Sequence, residues 1–514
     1  MPHYPVVIIG AGPAGLTASY ELMKQGVQSI VLEKAGQVGG ISRTEVYKGY
    51  RFDIGGHRFF TKVNEVNALW QEILGDEFIQ VPRLSRIYYQ GKFYDYPLAL
   101  GKTLKNLGPG QSMLMVLSYL NAKLKKFLNP SFEAETFEEW VIDSFGERLY
   151  KTFFKTYTEK VWGIPCNQIR ADWAAQRIQN MSLKQVLINA IFGSQTAKSL
   201  IKTFDYPRLG PGMMWERCQE ILVAHHSPVQ LNTEIVRIEH HHNRVKRVIA
   251  KQTDPAGQGP AGQGAEHTFE ITGDYVINSM PISALIHRLD PPPPPEVMAA
   301  ANGLKYRDFL IVSLIIDQPH LFPDNWLYIH SPEFQVGRIQ NFKNWSPAMV
   351  PDPTKTCLGL EYFCSAGDSL WTMTDAQLVK LAAQEIVRLN LGVRAGDIED
   401  GCVIRQPKAY PVYDGEYRQH LQVLQRYLEP FENLQTVGRN GMHRYNNQDH
   451  SMLTASLAAK NTLGEHHSLW DVNVERSYHE NFTDAEWSNL KQQQTATQET
   501  DPQPLNPIAQ AIGN

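Results

Sequence analysis

Residues 6–15 read Val-Val-Ile-Ile-Gly-Ala-Gly-Pro-Ala-Gly, an apolar run that enters a glycine turn, and Glu33 closes the next apolar run, Ser29-Ile-Val-Leu-Glu. Gly10 permits the tight turn and Gly12 lets the backbone approach a pyrophosphate. Gly15 lets the following helix pack close to the strand, so that its first N–H groups, beyond Pro13 and Ala14, face the phosphates. Glu33, with Lys34 beside it, lies 18 residues past Gly15, where an acid accepts hydrogen bonds from a ribose. A glycine triplet alone says little. Strand, turn, helix, acid and spacing together predict a βαβ unit that binds a dinucleotide.

Two glycine doublets follow, in Gly39-Gly40-Ile41-Ser42-Arg43-Thr44 and in Phe52-Asp53-Ile54-Gly55-Gly56-His57. Doublets this near the first fold unit let backbone pass a bulky group beyond the pyrophosphate, a need that nicotinamide dehydrogenases do not share. The plainer alternative is two ordinary turns. Such a doublet after the ribose acid resembles the amine oxidases and protoporphyrinogen oxidases. That resemblance implies FAD, enclosed by Gly40, Ile41, Ser42, Arg43, Gly56 and His57, with Arg43 beside its phosphates.

The 514 residues exceed one simple core and predict two or three lobes. A net charge of −4, with no basic–aromatic stripe, argues against a nucleic-acid partner. Five scattered cysteines without a Cys-x-x-Cys pair fit a reducing cytosol better than a disulfide framework or a zinc site. His240-His241-His242 reads as a solvated strand–turn junction, since neighbours in a strand face opposite sides; no metal is expected. The cofactor strand starts near residue 5, leaving no room for a leader, and no run of 18 apolar residues occurs. A cytoplasmic protein without a membrane span is the expectation.

The expected fold is α/β, a Rossmann-like FAD-binding domain with an inserted helical lobe and a mixed β-sheet substrate lobe. Residues 1–98, 206–285 and 406–465 are assigned to the cofactor domain, 99–205 to the helical lobe and 286–405 to the sheet lobe. Residues 466–514 form an extension, disordered after about 490. Within this scheme, 64–75 reads as a helix, 86–97 as a hairpin turning at Gln90-Gly91, and 254–264 as a mobile Gly/Pro/Gln loop. Strands are expected at 229–239, 244–251, 267–278, 309–317, 335–342, 357–364 and 434–438, with a helix near 451–461 and a stiff proline run at 291–295. Residues 113–128 are amphipathic and end basic. A helix packed into the second lobe is the favoured account, and peripheral contact with a membrane or a lipid-linked substrate the other.

Several segments resemble the UDP-galactopyranose mutases, flavoenzymes that interconvert ring forms of a sugar nucleotide. The most specific is the helix from Phe137 into Tyr157-Thr-Glu-Lys-Val-Trp162-Gly163. Gly56-His57-Arg-Phe-Phe-Thr61, Tyr410-Pro-Val, Gly438-Arg439 and Tyr445 match in kind and order, from about residue 5 to 461. In those mutases the reduced flavin is the nucleophile and the nucleotide is the leaving group. The resemblance implies that Trp162 forms part of the sugar pocket, that Arg177 contacts the leaving phosphates, and that Tyr410 and Tyr445 hydrogen-bond them. His57 would lie against the flavin, and Gly438 and Arg439 would hold the cofactor. Arginine forks suit phosphate oxygens, and tyrosines stabilise developing negative charge while keeping their protons.

This chain also departs from the mutase pattern. A second arginine of the mutases falls in the segment Lys355-Thr-Cys357-Leu-Gly-Leu-Glu361, where cysteine stands, leaving Arg338 as the nearby substitute. An aspartate expected after the last tyrosine is replaced by Asn446-Asn447. The insertion at 186–206, ending in Phe204-Asp-Tyr-Pro207, alters the expected pocket wall. The leading expectation is a mutase-like FAD enzyme acting on a small molecule, a nucleotide-linked or lipid-linked sugar. The alternative is an FAD oxidoreductase of the amine oxidase, protoporphyrinogen oxidase or desaturase type. A third reading, a flavin-free binder of prenylated partners resembling the Rab escort and GDP-dissociation inhibitor proteins, is disfavoured by the intact Gly10–Glu33 fingerprint.

Overall fold

The computed structural model describes residues 1–59, 61–96, 98, 100–171, 203–254 and 266–473. Arg177, most of the 186–206 insertion, the 254–264 loop apart from Asp254, and the tail beyond 473 lie outside the described residues.

The opening strand, His3–Ile9, pairs in parallel with Ser29–Leu32 on one side and with the end of Glu266–Asn278 on the other. Its side chains alternate between two cores. Val6 and Ile8 enter a cluster with Leu16 and Trp215, whereas Val7 and Ile9 enter one with Leu285 and Leu424. Burial on both faces explains why the run is continuously apolar rather than alternating. The full sheet runs Leu289–Asp290, Thr233–His241, Arg244–Thr253, Glu266–Asn278, His3–Ile9, Ser29–Leu32, Val229–Gln230, with Leu434–Thr436 also pairing on Glu266–Asn278. The helices Pro13–Lys24 and Gln448–Thr462 pack together on one face; Pro295–Gly303 and Tyr417–Leu428 cover the other.

A second sheet is ordered Ile398–Pro411, Tyr306–Ile316, Thr356–Cys364, Arg338–Asn341, Trp326–Ile329, Ser85–Tyr89, Lys92–Asp95. In its middle strands, even positions such as Leu310, Leu358 and Leu360 pack under the helix Asp375–Arg388. Odd positions, including Phe309, Cys357 and Phe363, turn toward the helical lobe. The Gln90-Gly91 hairpin forms as expected, both residues having positive φ (49° and 75°), the geometry of a two-residue turn that matches strand twist. It pairs through Ser85–Tyr89 with Trp326–Ile329, so it extends the second sheet rather than the cofactor domain to which 1–98 was assigned. A hairpin carries no sequence mark of which sheet edge it will join.

The helical lobe comprises Leu100–Leu107, Pro109–Leu128, Phe137–Phe145 and the stretch from Glu147 to Trp162, which passes through a wide turn at Tyr150–Lys155. Thr136 caps Phe137–Phe145 in a reciprocal box with Glu139. The helix Pro109–Leu128 packs on the lobe along one side, as expected, from Gln111 and Ser118, which meet Arg148, to Lys123 and Lys126, which meet Asp143. Only Met115 and Ala122 are buried, and its opposite side faces outward. Among the described residues no helix is long and apolar enough to cross a membrane.

Candidate functional site

A cavity of about 1660 Å³ runs from the C-terminal end of the opening strand to the odd-numbered face of the second sheet. All the sequence-predicted site residues line it except Gly15, which lies beneath it, and Arg177, which is outside the described residues.

The glycine turn has the form a dinucleotide requires. A Cβ on Gly15 would fall 1.8 Å from the Gly10 carbonyl oxygen, so helix and strand are in backbone contact there, and Gly15 serves packing rather than direct contact. Gly12 differs, since a Cβ on it would meet only the Gly40 Cα, at 3.9 Å. The two glycine motifs therefore face one another across an open approach. The helix beginning at Pro13 has no side-chain cap and no acid in its first turn, leaving its N–H donors for an anion. Glu33 is held by the backbone N–H groups of Ala11 (2.7 Å) and Ala35 (2.8 Å), an acceptor-only group fixed at the strand end. These residues fit the pyrophosphate and ribose of FAD. Arg43 lines the same cavity with several of its donors engaged within the protein. Its donors go to the Gly40 carbonyl (2.9 Å), Gln406 (2.8 Å) and Glu45 (2.6 Å), so it ties the glycine doublet to the strand Ile398–Pro411. Arg439 likewise donates to the carbonyls of Asn446 (2.9 Å) and Ala409 (3.2 Å).

The other end is aromatic. Tyr410 and Tyr445 stack with ring centres 5.7 Å apart, Trp162 meets them at 6.3 and 6.0 Å, and the Arg439 guanidinium lies 5.6 and 4.8 Å from their centres. Burial raises the Tyr410 hydroxyl's pKa above its ordinary value, so it remains a neutral donor. His57 Nδ1 lies 3.0 Å from the Gly55 carbonyl. Desolvation and the nearby cations Arg439 and Arg338 push the ring down to about 3, so it is neutral. A neutral ring bonded this way donates from Nδ1, leaving Nε2 as an acceptor. Arg338 is ion-paired through Nε with the fully buried carboxylate of Glu361, and its Nη2 reaches the Tyr410 hydroxyl at 3.3 Å. Gln340 donates to the other oxygen of Glu361 at 2.6 Å.

Cys357, placed by resemblance where an arginine was expected, is buried 3.1 Å from the Ser313 hydroxyl and does not reach the cavity. The cavity-facing residues of that strand are Glu361 and Phe363. Asn446 and Asn447 do line it; Asn446 bonds the Gly438 carbonyl (3.3 Å) and Asn473 (2.9 Å), whereas Asn447 caps the helix Gln448–Thr462.

The signature around Trp162 also has structural work. Lys160 extends to the carbonyls of Ile329 (3.0 Å) and Val336 (3.1 Å), tying the helical lobe to the second sheet; burial lowers it to about 8. Gly163 has φ +69°, and a Cβ there would lie 2.5 Å from the Arg307 Cζ. Residues overlooked in the sequence include Tyr157, whose ring stacks on His330 at 4.5 Å and 6°, and Glu361 itself. A carboxylate inside Leu358-Gly-Leu-Glu361-Tyr-Phe was a usable signal, because burying a charge demands a partner. His330 offered none.

The family model described as flavin containing amine oxidoreductase matches residues 13–443. A probable UDP-galactopyranose mutase of Klebsiella pneumoniae is 23% identical over 180 residues, 33% of this chain and 44% of that protein. The dTDP-fucopyranose mutase of Escherichia coli is 25% identical over 170 residues, 32% and 44% respectively. The chain thus spans less than half the length of these two curated relatives. The crystal structure of a reduced UDP-galactopyranose mutase superposes with a TM-score of 0.76 at 20% identity, covering 92% of this chain and 98% of that one, a likeness of fold. With the glycine cradle and the fixed Glu33 carboxylate in place, the chain belongs to the flavin-containing amine oxidoreductase family of FAD-dependent enzymes.

Proposed function

We propose that this FAD enzyme acts as a mutase on a nucleotide-linked sugar, the phosphates lying against the aromatic end of the cavity. The observation that carries this reading is the charge around Tyr410 and Tyr445. A guanidinium, Arg439, already covers both rings, and the adjacent acid, Glu361, is taken up by Arg338 and Gln340. An alkylammonium substrate would meet cations there without a free carboxylate. A phosphate would meet Arg338, Arg439 and two phenol donors, groups that stabilise negative charge as it develops on a leaving diphosphate. Trp162 would form a wall for the sugar, and Arg177 would add a further contact to the phosphates. Neutral His57 would offer an acceptor beside the cofactor without adding charge. FAD, when bound and reduced, would supply the nucleophile for chemistry at an anomeric carbon. The sugar-nucleotide mutases among the relatives support the same class.

The test is to incubate dithionite-reduced and oxidised enzyme with a panel of UDP- and dTDP-sugars and to separate ring isomers by chromatography. Isomerisation by the reduced enzyme alone, without net redox change, is expected. Equal turnover by the oxidised form would overturn the reading. So would anaerobic bleaching of the flavin by an amine or porphyrinogen with no sugar nucleotide converted, which would make the chain an oxidoreductase, as the family match also allows.

A further inference from the structure

The helix Pro109–Leu128 presents an apolar stripe to solvent. Met113, Leu117, Leu120, Leu124 and Phe127 are each more than half exposed, Phe127 by 80%. Their spacing of four, three, four and three places them on one side of the helix, along roughly 21 Å of its length. Met115 and Ala122, the residues that pack inward, fall on the opposite side. Seven of the fifteen exposed large apolar side chains among the described residues belong to this helix, so the patch is concentrated rather than scattered.

The charge carried by the segment itself is of one sign. Residues 100–128 contain Lys102, Lys105, Lys123, Lys125 and Lys126 and no Asp or Glu, in a chain whose net charge is −4. By helical rotation Lys125 flanks the stripe on one side, where a long side chain can lie along apolar surface and lift its charge outward, whereas Lys123, on the other side, donates to the Asp143 carbonyl at 2.8 Å. Lys126 points back to Asp143, and Lys102 pairs with Asp95 at 3.0 Å. Lys105 and Lys125 enter no ion pair among the described residues.

We infer that this helix is a docking surface for an anionic lipid bilayer, its apolar stripe entering the headgroup region and its lysines meeting the lipid phosphates. A second copy of the same helix fits less well. Packed in parallel it would set Lys123, Lys125 and Lys126 against one another, and packed antiparallel it would set them against the uncharged stretch 109–122, with no acid to pair with in either case. An amphipathic, acid-free, lysine-flanked helix with a bulky aromatic at its end has the composition of an interfacial helix. This surface lies apart from the cavity, so the inference is independent of the substrate.

The experiment is flotation of the full-length, FAD-loaded protein with vesicles of phosphatidylcholine alone and of phosphatidylcholine with 30% phosphatidylserine (about that share), at low and high salt, alongside light scattering of the free protein. Binding to the anionic vesicles, weakened by salt, is expected. Lys105→Ala/Lys125→Ala should weaken it about 25-fold, near fivefold per lysine. Leu117→Glu/Leu124→Glu should abolish it while leaving flavin content and thermal unfolding unchanged. No flotation, or equal flotation with neutral vesicles and with the lysine variant, overturns the inference. A dimer that Leu117→Glu/Leu124→Glu converts to monomer without lipid also overturns it, assigning the stripe to a second copy.

Discussion

The guanidinium of Arg338 is closed on the buried carboxylate of Glu361 and reaches the Tyr410 hydroxyl at 3.3 Å. The pair joins adjacent strands of the second sheet, Arg338 lying directly opposite Glu361 in the ladder. One residue thus completes a buried ion pair and lines the aromatic end of the cavity.

Removing one partner strands the other in low dielectric. Arg338→Met should therefore cost about 3–5 kcal/mol of stability, read as a fall in urea midpoint at unchanged slope. Arg338→Met/Glu361→Leu should recover most of that loss while remaining inactive. A double variant no more stable than the single one would mean that Glu361 is not held by Arg338.

The two glycines of the turn should behave differently. Gly15→Ala puts a Cβ 1.8 Å from the Gly10 oxygen, so both FAD retention and thermal stability should drop. Gly12→Ala has space in the protein, its nearest neighbour being Gly40 at 3.9 Å, so it should fold with unchanged unfolding temperature as the apoprotein. Its affinity for FAD should fall at least tenfold, about 1.4 kcal/mol, measured by flavin fluorescence titration.

Stability should fall with acid below neutrality. Burial pushes His330 down to about 3, aided by Lys160, and His57 to about 3, aided by Arg439 and Arg338, and it pushes His443 down to about 4, whereas an unfolded histidine titrates near 6.5. Between those values the unfolded chain takes up protons that the folded chain refuses, so stability is lost as pH falls from 6.5 toward 4. Asp53 acts in the opposite sense. Desolvation raises it to about 7, against the hydrogen bonds from Tyr206 and Thr44, so its contribution is complete below 3.8 and lost as pH rises through 7. Three histidines against one carboxyl leave a net of about two protons, which predicts roughly 3 kcal/mol per pH unit, checked by urea unfolding at pH 4.5, 5.5 and 6.5 (about one unit apart). Asp53→Asn should steepen the slope.

If diphosphate is the leaving group, the two phenols should matter for its departure. Tyr410→Phe and Tyr445→Phe should each lower kcat/KM for the sugar nucleotide about tenfold, near the upper end for one neutral hydrogen bond. Tyr410→Phe also deprives Arg338 of its 3.3 Å contact, so its effect should be the larger. Comparable activity in both variants would move the phosphates away from this end.

Much of the cofactor half was legible because its determinants are local. Gly10, Gly12, Gly15 and Glu33 act through backbone shape and strand order, and spacing alone carries those. Trp162, Tyr410 and Tyr445, read by resemblance, converge within 6.3 Å although they lie in distant parts of the chain. The partners of the arginines were not legible. Arg43 and Arg439 each reach several acceptors, and a long flexible side chain gives no sign in sequence of which it will choose. The stacking of Tyr157 on His330 depends on docking of the helical lobe against the second sheet, an event between segments 173 residues apart.

The sequence by itself determined a dinucleotide-binding crossover, because steric freedom at glycine and an apolar run buried on both faces admit few alternatives. Only tertiary structure decided that the 85–95 hairpin joins the second sheet, that Glu361 neutralises Arg338, and that the helix 109–128 turns its leucines outward. Each of these depends on which surfaces meet, and an amphipathic pattern states that a face is apolar without stating what covers it.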